Sequence, residues 1–97
     1  MSGALLPGQF ATQLGYVQMT TISAATALVV PVGATYALLQ AEAQDVRWRD
    51  DGTNPTTTVG MLLKAGQDPS GFTGDQIKAM LVIQSTAGAI LNISYYK

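Results

Sequence analysis

Apolar and polar positions along this 97-residue chain alternate in short runs, broken by glycine, proline and Asx residues. Alternation puts successive side chains on opposite faces of an extended backbone, so such runs between turn residues predict strands. Residues 15–21 carry Tyr16, Val17, Thr20 and Thr21, which fit a pleated surface, and residues 27–32 are apolar and β-branched ahead of a turn at 31–34. Residues 35–43 alternate Ala37, Leu39, Ala41 and Ala43 with Leu38, Gln40 and Glu42. That pattern predicts a strand even though the same residues have high helix propensity.

Residues 44–50 place Val46 and Trp48 on one face and Arg47 and Arg49 on the other. Asp51-Gly52 then signals a turn that Asn54 and Pro55 prolong, before a strand over 59–64. Residues 67–75 are polar and rich in glycine and proline, which predicts a loop. The continuous apolar run from Ala79 to Ile83, within 77–84, predicts a strand buried on both faces, although periodicity alone leaves helix open. Residues 86–89 make a tight connection, after which Leu91, Ile93 and Tyr95 oppose Asn92, Ser94 and Tyr96.

These patterns predict a compact all-β domain over 13–97: an antiparallel β-sandwich, a jelly roll or a small barrel. Residues 1–12 read as an extended N-terminal arm, small and uncharged, in which Leu5, Leu6 and Phe10 suit docking onto a partner.

Composition shifts this picture towards assembly. Only 11% of residues are charged, against roughly a quarter in an ordinary soluble domain. A surface so poor in charge is expected to be covered by partners, which favours a homo-oligomer or another obligate assembly. The net charge of −1, with no basic cluster beyond Arg47 and Arg49, argues against a nucleic-acid partner. Residues 21–40 are uncharged, yet Ser23, Thr26, Pro31, Gly33 and Thr35 interrupt them, so no membrane span is expected. Nor is a conventional secretion signal expected, for want of a basic N-terminal region.

Candidate chemistry concentrates in residues 46–60, which hold the single tryptophan and four charged side chains, Arg47, Arg49, Asp50 and Asp51, whereas none precedes Glu42. Paired carboxylates at Asp50 and Asp51 point to opposite faces of a strand and do not converge on one substrate atom. The run from Asp50 to Asn54 lacks the ligand spacing and distal glutamate of a calcium loop, and reads as a turn bonded to its own backbone. Histidine is absent, which removes the commonest general base and metal ligand, and the absence of cysteine excludes disulfides. The expectation is a non-enzymatic protein without cofactor or metal. In it Trp48 packs in the core, and Arg47, Arg49, Asp50 and Asp51 line a protein interface together with Leu5, Leu6 and Phe10.

The block from Val46 to Leu63 resembles a segment common in small proteins of tailed bacteriophages. The likeness continues in the stretch from Pro31 to Gln40 and from Leu91 to Tyr96, and leaves out residues 1–25 and 67–75. It implies a virion structural component, assembled in the host cytoplasm. The favoured role is a capsid decoration or cement protein whose partner is the major capsid protein. The alternative is a tail-, fibre- or collar-associated module that binds a host glycan or another virion protein. The two differ in what they ask of Trp48: burial suits a scaffold, exposure among polar side chains suits glycan recognition.

Overall fold

Eight strands and one short helix form from these patterns in a computed structural model, which describes residues 12–97. In chain order they are β1 (Gln13–Met19), β2 (Thr26–Ala27), β3 (Tyr36–Glu42), β4 (Val46–Arg49), β5 (Met61–Leu63), β6 (Ser70–Thr73), α1 (Gly74–Ala79), β7 (Leu81–Gln84) and β8 (Ile90–Tyr96). They pair as two four-stranded sheets, with order β1-β8-β3-β6 in the first and β2-β7-β4-β5 in the second. Every pairing is antiparallel. Neither sheet closes on itself, so the barrel alternative falls.

The first sheet is built around β3 and β8. Ala37, Leu39 and Ala41 stand opposite Tyr95, Ile93 and Leu91, and all six are buried. Register is fixed by this match, since a slip of one residue would turn the apolar set to solvent. Burial between two neighbouring strands thus outweighs the helix propensity of the Ala-Leu-Leu-Gln stretch. From the second sheet, Val46, Leu63 and Val82 meet this inner face in one core, closed by Ile22, Leu28, Ala34, Ile77, Met80 and Ala89 from the connections and the helix.

Three expectations are corrected. The run over 77–84 is not one strand: Ile77 lies on α1, Met80 is its extended C-cap, and β7 begins at Leu81. A capping box stops the strand from starting earlier, with the Gln76 amide donating to Thr73 Oγ1 (3.4 Å) and the Thr73 amide donating to Gln76 Oε1 (3.0 Å). The loop expected over 67–75 contains β6, whose Phe72 is buried. The strand expected over 27–32 shrinks to the two residues of β2; Leu28 is buried, but Val29 and Val32 are 75% and 99% exposed. β-Branched side chains alone do not make a strand where no neighbour covers them. The expected arm over 1–12 lies, apart from Thr12, outside the described residues.

Candidate functional site

The charged corner forms where β4 leaves the second sheet. Val46 is fully buried and Trp48 is half-buried against the core. Arg47 and Arg49 project from the opposite face, as alternation along β4 requires. The chain then makes a wide excursion and returns at Gly60 to start β5. Gly60 has φ of 143°, and a Cβ there would lie 3.2 Å from Arg47 Cβ, Pro55 Cβ and the Trp48 carbonyl oxygen. Only glycine lets the backbone come back this close to β4.

Arg47 holds the excursion in place. Its Nε donates to the Thr57 carbonyl (3.2 Å) and its Nη1 to the Gly60 carbonyl (2.9 Å). Ser85 Oγ, just beyond β7, donates to the same Thr57 carbonyl (3.3 Å). The loop therefore lies across the outer face of β4 and β7. Pro55 is buried within it, and Ile83, paired with Arg47 on that face, is buried as well.

Arg49 makes a two-point ion pair with Asp51, Nε to Oδ1 at 3.0 Å and Nη2 to Oδ2 at 2.5 Å. Donation from Arg49 holds the Asp51 carboxyl below the ordinary carboxylate range, against an opposing effect of desolvation, and the Thr53 amide (3.3 Å) adds to the lowering. The same bond raises the Arg49 guanidinium further above its usual value. Asp51 is thus a fixed negative charge at neutral pH and a poor proton donor. Thr56 Oγ1 accepts from the amides of Thr58 (3.3 Å) and Val59 (3.0 Å), so the rest of the loop is also bonded to its own backbone. Asp50 lines an open hollow of about 370 Å³ with Arg49, Asp51, Val59, Gly60 and Met61. Among the described residues, no three potential metal ligands come together.

The structure thus brings Arg47, Arg49, Asp50 and Asp51 to one corner, where both arginines find partners in their own chain. Leu5, Leu6 and Phe10 lie outside the described residues. Beside this corner β5 forms an edge of its sheet, and Val59, Met61 and Leu62 are 51%, 60% and 41% exposed there.

A second surface was not singled out by the sequence: the outer face of the first sheet. Tyr16 Oη and Gln18 Nε2 (3.1 Å) both donate to Asn92 Oδ1, while Asn92 Nδ2 donates to Glu42 Oε1 (2.9 Å). Gln13 Nε2 donates to Ser94 Oγ (2.7 Å), which donates in turn to the Tyr96 hydroxyl (3.1 Å). Alternation in β8 marks Asn92, Ser94 and Tyr96 as the wet face. Their partners on β1 and β3 are set by register, which one strand's pattern does not carry.

Comparison with protein-family models, with curated proteins and with solved structures gives no match.

Proposed function

We propose that this chain is a non-enzymatic virion structural protein of a tailed bacteriophage, a capsid decoration or cement protein that binds the assembled shell. The observation that carries this reading is the strand order. β1-β8-β3-β6 facing β2-β7-β4-β5 is the order of a jelly roll, an eight-stranded double sheet that recurs in viral capsid and lectin domains. The resemblance of residues 46–63 to small phage proteins supports it from an independent direction. Trp48 favours the scaffold role, because it is half-buried and meets Phe72 edge-on instead of lying open as a platform for a sugar.

In this role the chemistry is association. Binding to the assembled shell but not to its separated subunits raises shell stability by mass action. The exposed Val59 and Met61 line the hollow with the Arg49–Asp51 pair and offer an apolar contact with a charged rim, the composition expected of a protein interface. The major capsid protein is the partner this reading assigns to that rim.

The glycan-binding alternative draws on the outer face of the first sheet, where Tyr16 stands 60% exposed among Asn92, Gln18 and Ser94. Locating the protein in purified particles separates the two readings. Copies spread over the whole shell support decoration, whereas copies confined to one vertex or to the tail support the alternative. Absence from particles removes both.

A further inference from the structure

We propose that β1 pairs with β1 of a second copy of this chain, antiparallel about a two-fold axis through Val17, so that two four-stranded sheets join into one. The first sheet has edges at β1 and β6, the second at β2 and β5. β2 has two residues, β5 three and β6 four, whereas β1 runs for seven, Gln-Leu-Gly-Tyr-Val-Gln-Met, without a charge or a proline. Among the described residues, no strand lies on its outer side. Edges of soluble proteins are usually blunted by charge, proline, shortness or a bulge, because their free N–H and C=O groups template pairing. Here the one such device is the irregularity between Gln13 and Gly15. It sits at one end of the strand and leaves residues 15–19 regular.

The faces of β1 select the register. Leu14, Val17 and Met19 are half-buried at the rim of the core, while Tyr16 and Gln18 face outward. Paired strands must match face to face, since a one-residue slip inverts every side chain. An axis through Val17 sets Gly15 opposite Met19 and Tyr16 opposite Gln18, inward to inward and outward to outward. An axis through Tyr16 would set Leu14 against Gln18 and Gln13 against Met19, apolar against polar.

The rim also names its occupant. Across the sheet, the rows through Tyr16, Ser94 and Leu38 and through Gln18, Asn92 and Gln40 carry no charge; the Glu42 carboxylate on this face lies beyond β8 and is bonded to Asn92 Nδ2 (2.9 Å), so the edge that β1 presents is neutral. Another β1 supplies the matching neutral edge. Tyr16 and Gln18 are already fixed by their bonds to Asn92, which lowers the ordering cost of association. The half-buried Val17 and Met19 become continuous with their copies across the axis. An isologous contact of this kind closes at two chains. It stands apart from the virion reading and is tested on the purified chain alone.

Sedimentation of the full chain over a micromolar-to-millimolar series is expected to show a reversible two-chain species. Substituting Tyr16→Lys together with Gln18→Lys sets lysine against lysine twice in the proposed register. That variant is expected to sediment as one chain while keeping the parent's β-sheet circular dichroism spectrum, with a lower melting temperature because the bonds to Asn92 and the partner are both lost. Mixing it with a Tyr16→Glu, Gln18→Glu chain should restore a two-chain species containing one of each. Hydrogen exchange on the unmodified chain supplies a second readout: amide protection within residues 15–19 should rise with concentration. A chain that stays single throughout the series would overturn the proposal. So would a two-chain species that survives the lysine pair, or protection of these amides that does not change with concentration.

Discussion

Trp48 on β4 meets Phe72 on β6 edge-on, with ring centroids 5.1 Å apart and planes at 83°. One ring comes from each sheet, so the contact ties the two layers together at the corner where the charged loop begins. Edge-to-face geometry of this kind adds roughly 0.5–1.5 kcal/mol to the burial of the rings. Phe72→Ala is expected to cost about 3–5 kcal/mol, the usual range for emptying a buried phenylalanine site. Trp48 fluorescence should shift to the red in the native state as water reaches the ring. Phe72→Leu fills most of the space without the ring edge, and its loss should be clearly smaller. Urea denaturation followed by tryptophan emission measures both.

Arg47 bonds to two carbonyls of the loop that crosses its own strand. Removing it leaves the Thr57 and Gly60 carbonyls short of a charged donor, one of them partly buried. Arg47→Ala is expected to cost about 1–2 kcal/mol, below the full value of two charge-assisted bonds because the site is half open to water. Arg47→Lys should recover less than half, since an ammonium cannot reproduce the planar fork. Limited proteolysis is the sharper check. Cleavage between Asp50 and Gly60 should accelerate in Arg47→Ala, while the rest of the chain stays protected.

Tyr95 is fully buried, and among the described residues its hydroxyl has no hydrogen-bond partner. Burial pushes its pKa up from 10.0 to about 12. The folded state therefore holds this proton to higher pH than the unfolded chain does. The associated stability is complete below pH 10.0 and is lost as pH climbs towards about 12. The loss is on the order of 2 kcal/mol. Tyr95→Phe should abolish this part of the alkaline fall. At neutral pH the variant should be at least as stable as the parent, by up to about 1 kcal/mol, because an unpaired buried hydroxyl is no longer desolvated. Denaturation midpoints at neutral and alkaline pH test both halves.

Two backbone positions should respond with opposite sign. Ala43, exposed at the end of β3, has φ of 71°, where an L side chain costs roughly 1–2 kcal/mol. Ala43→Gly relieves that strain, and after the extra freedom gained by the unfolded chain the net gain should be about 0.5–1 kcal/mol. Gly60 has φ of 143° and its Cβ position is crowded by the Trp48 carbonyl oxygen. Gly60→Ala should cost about 2–3 kcal/mol and loosen the loop. Thermal denaturation of the two variants side by side measures the contrast.

The strands that were legible are those with alternation on both sides of a pair. β3, β4 and β8 each carry a clean inward set, and the facing pattern of Val46 and Trp48 against Arg47 and Arg49 holds in the structure. α1 is not legible from periodicity, since its six residues give too few turns for a period to show. Thr73 and Gln76, three apart, were nonetheless a readable cap, and Ile77 and Met80 share the spacing of a helix face. β2 is shorter than the apolar run around it, because apolar residues there are not all buried. Of the charged corner, the Arg49–Asp51 pair lies within reach of sequence reasoning, being two residues apart. The anchoring of Arg47 does not, since its acceptors are backbone carbonyls, which every residue possesses.

The placement of β8 between β1 and β3 also dictates when the molecule can form. Among the described strands β1 is paired only by β8, the one farthest from it in sequence, across six register positions from Gln13↔Tyr96 to Met19↔Leu91. β3 likewise waits for β8 on one side, and β4 waits for β7. Among these ladders, only β4 with β5 joins consecutive strands. Contacts so distant in sequence close slowly. On the ribosome β1 stays without its partner until residues 90–96 have emerged, an uncharged strand left open while the strands between are made.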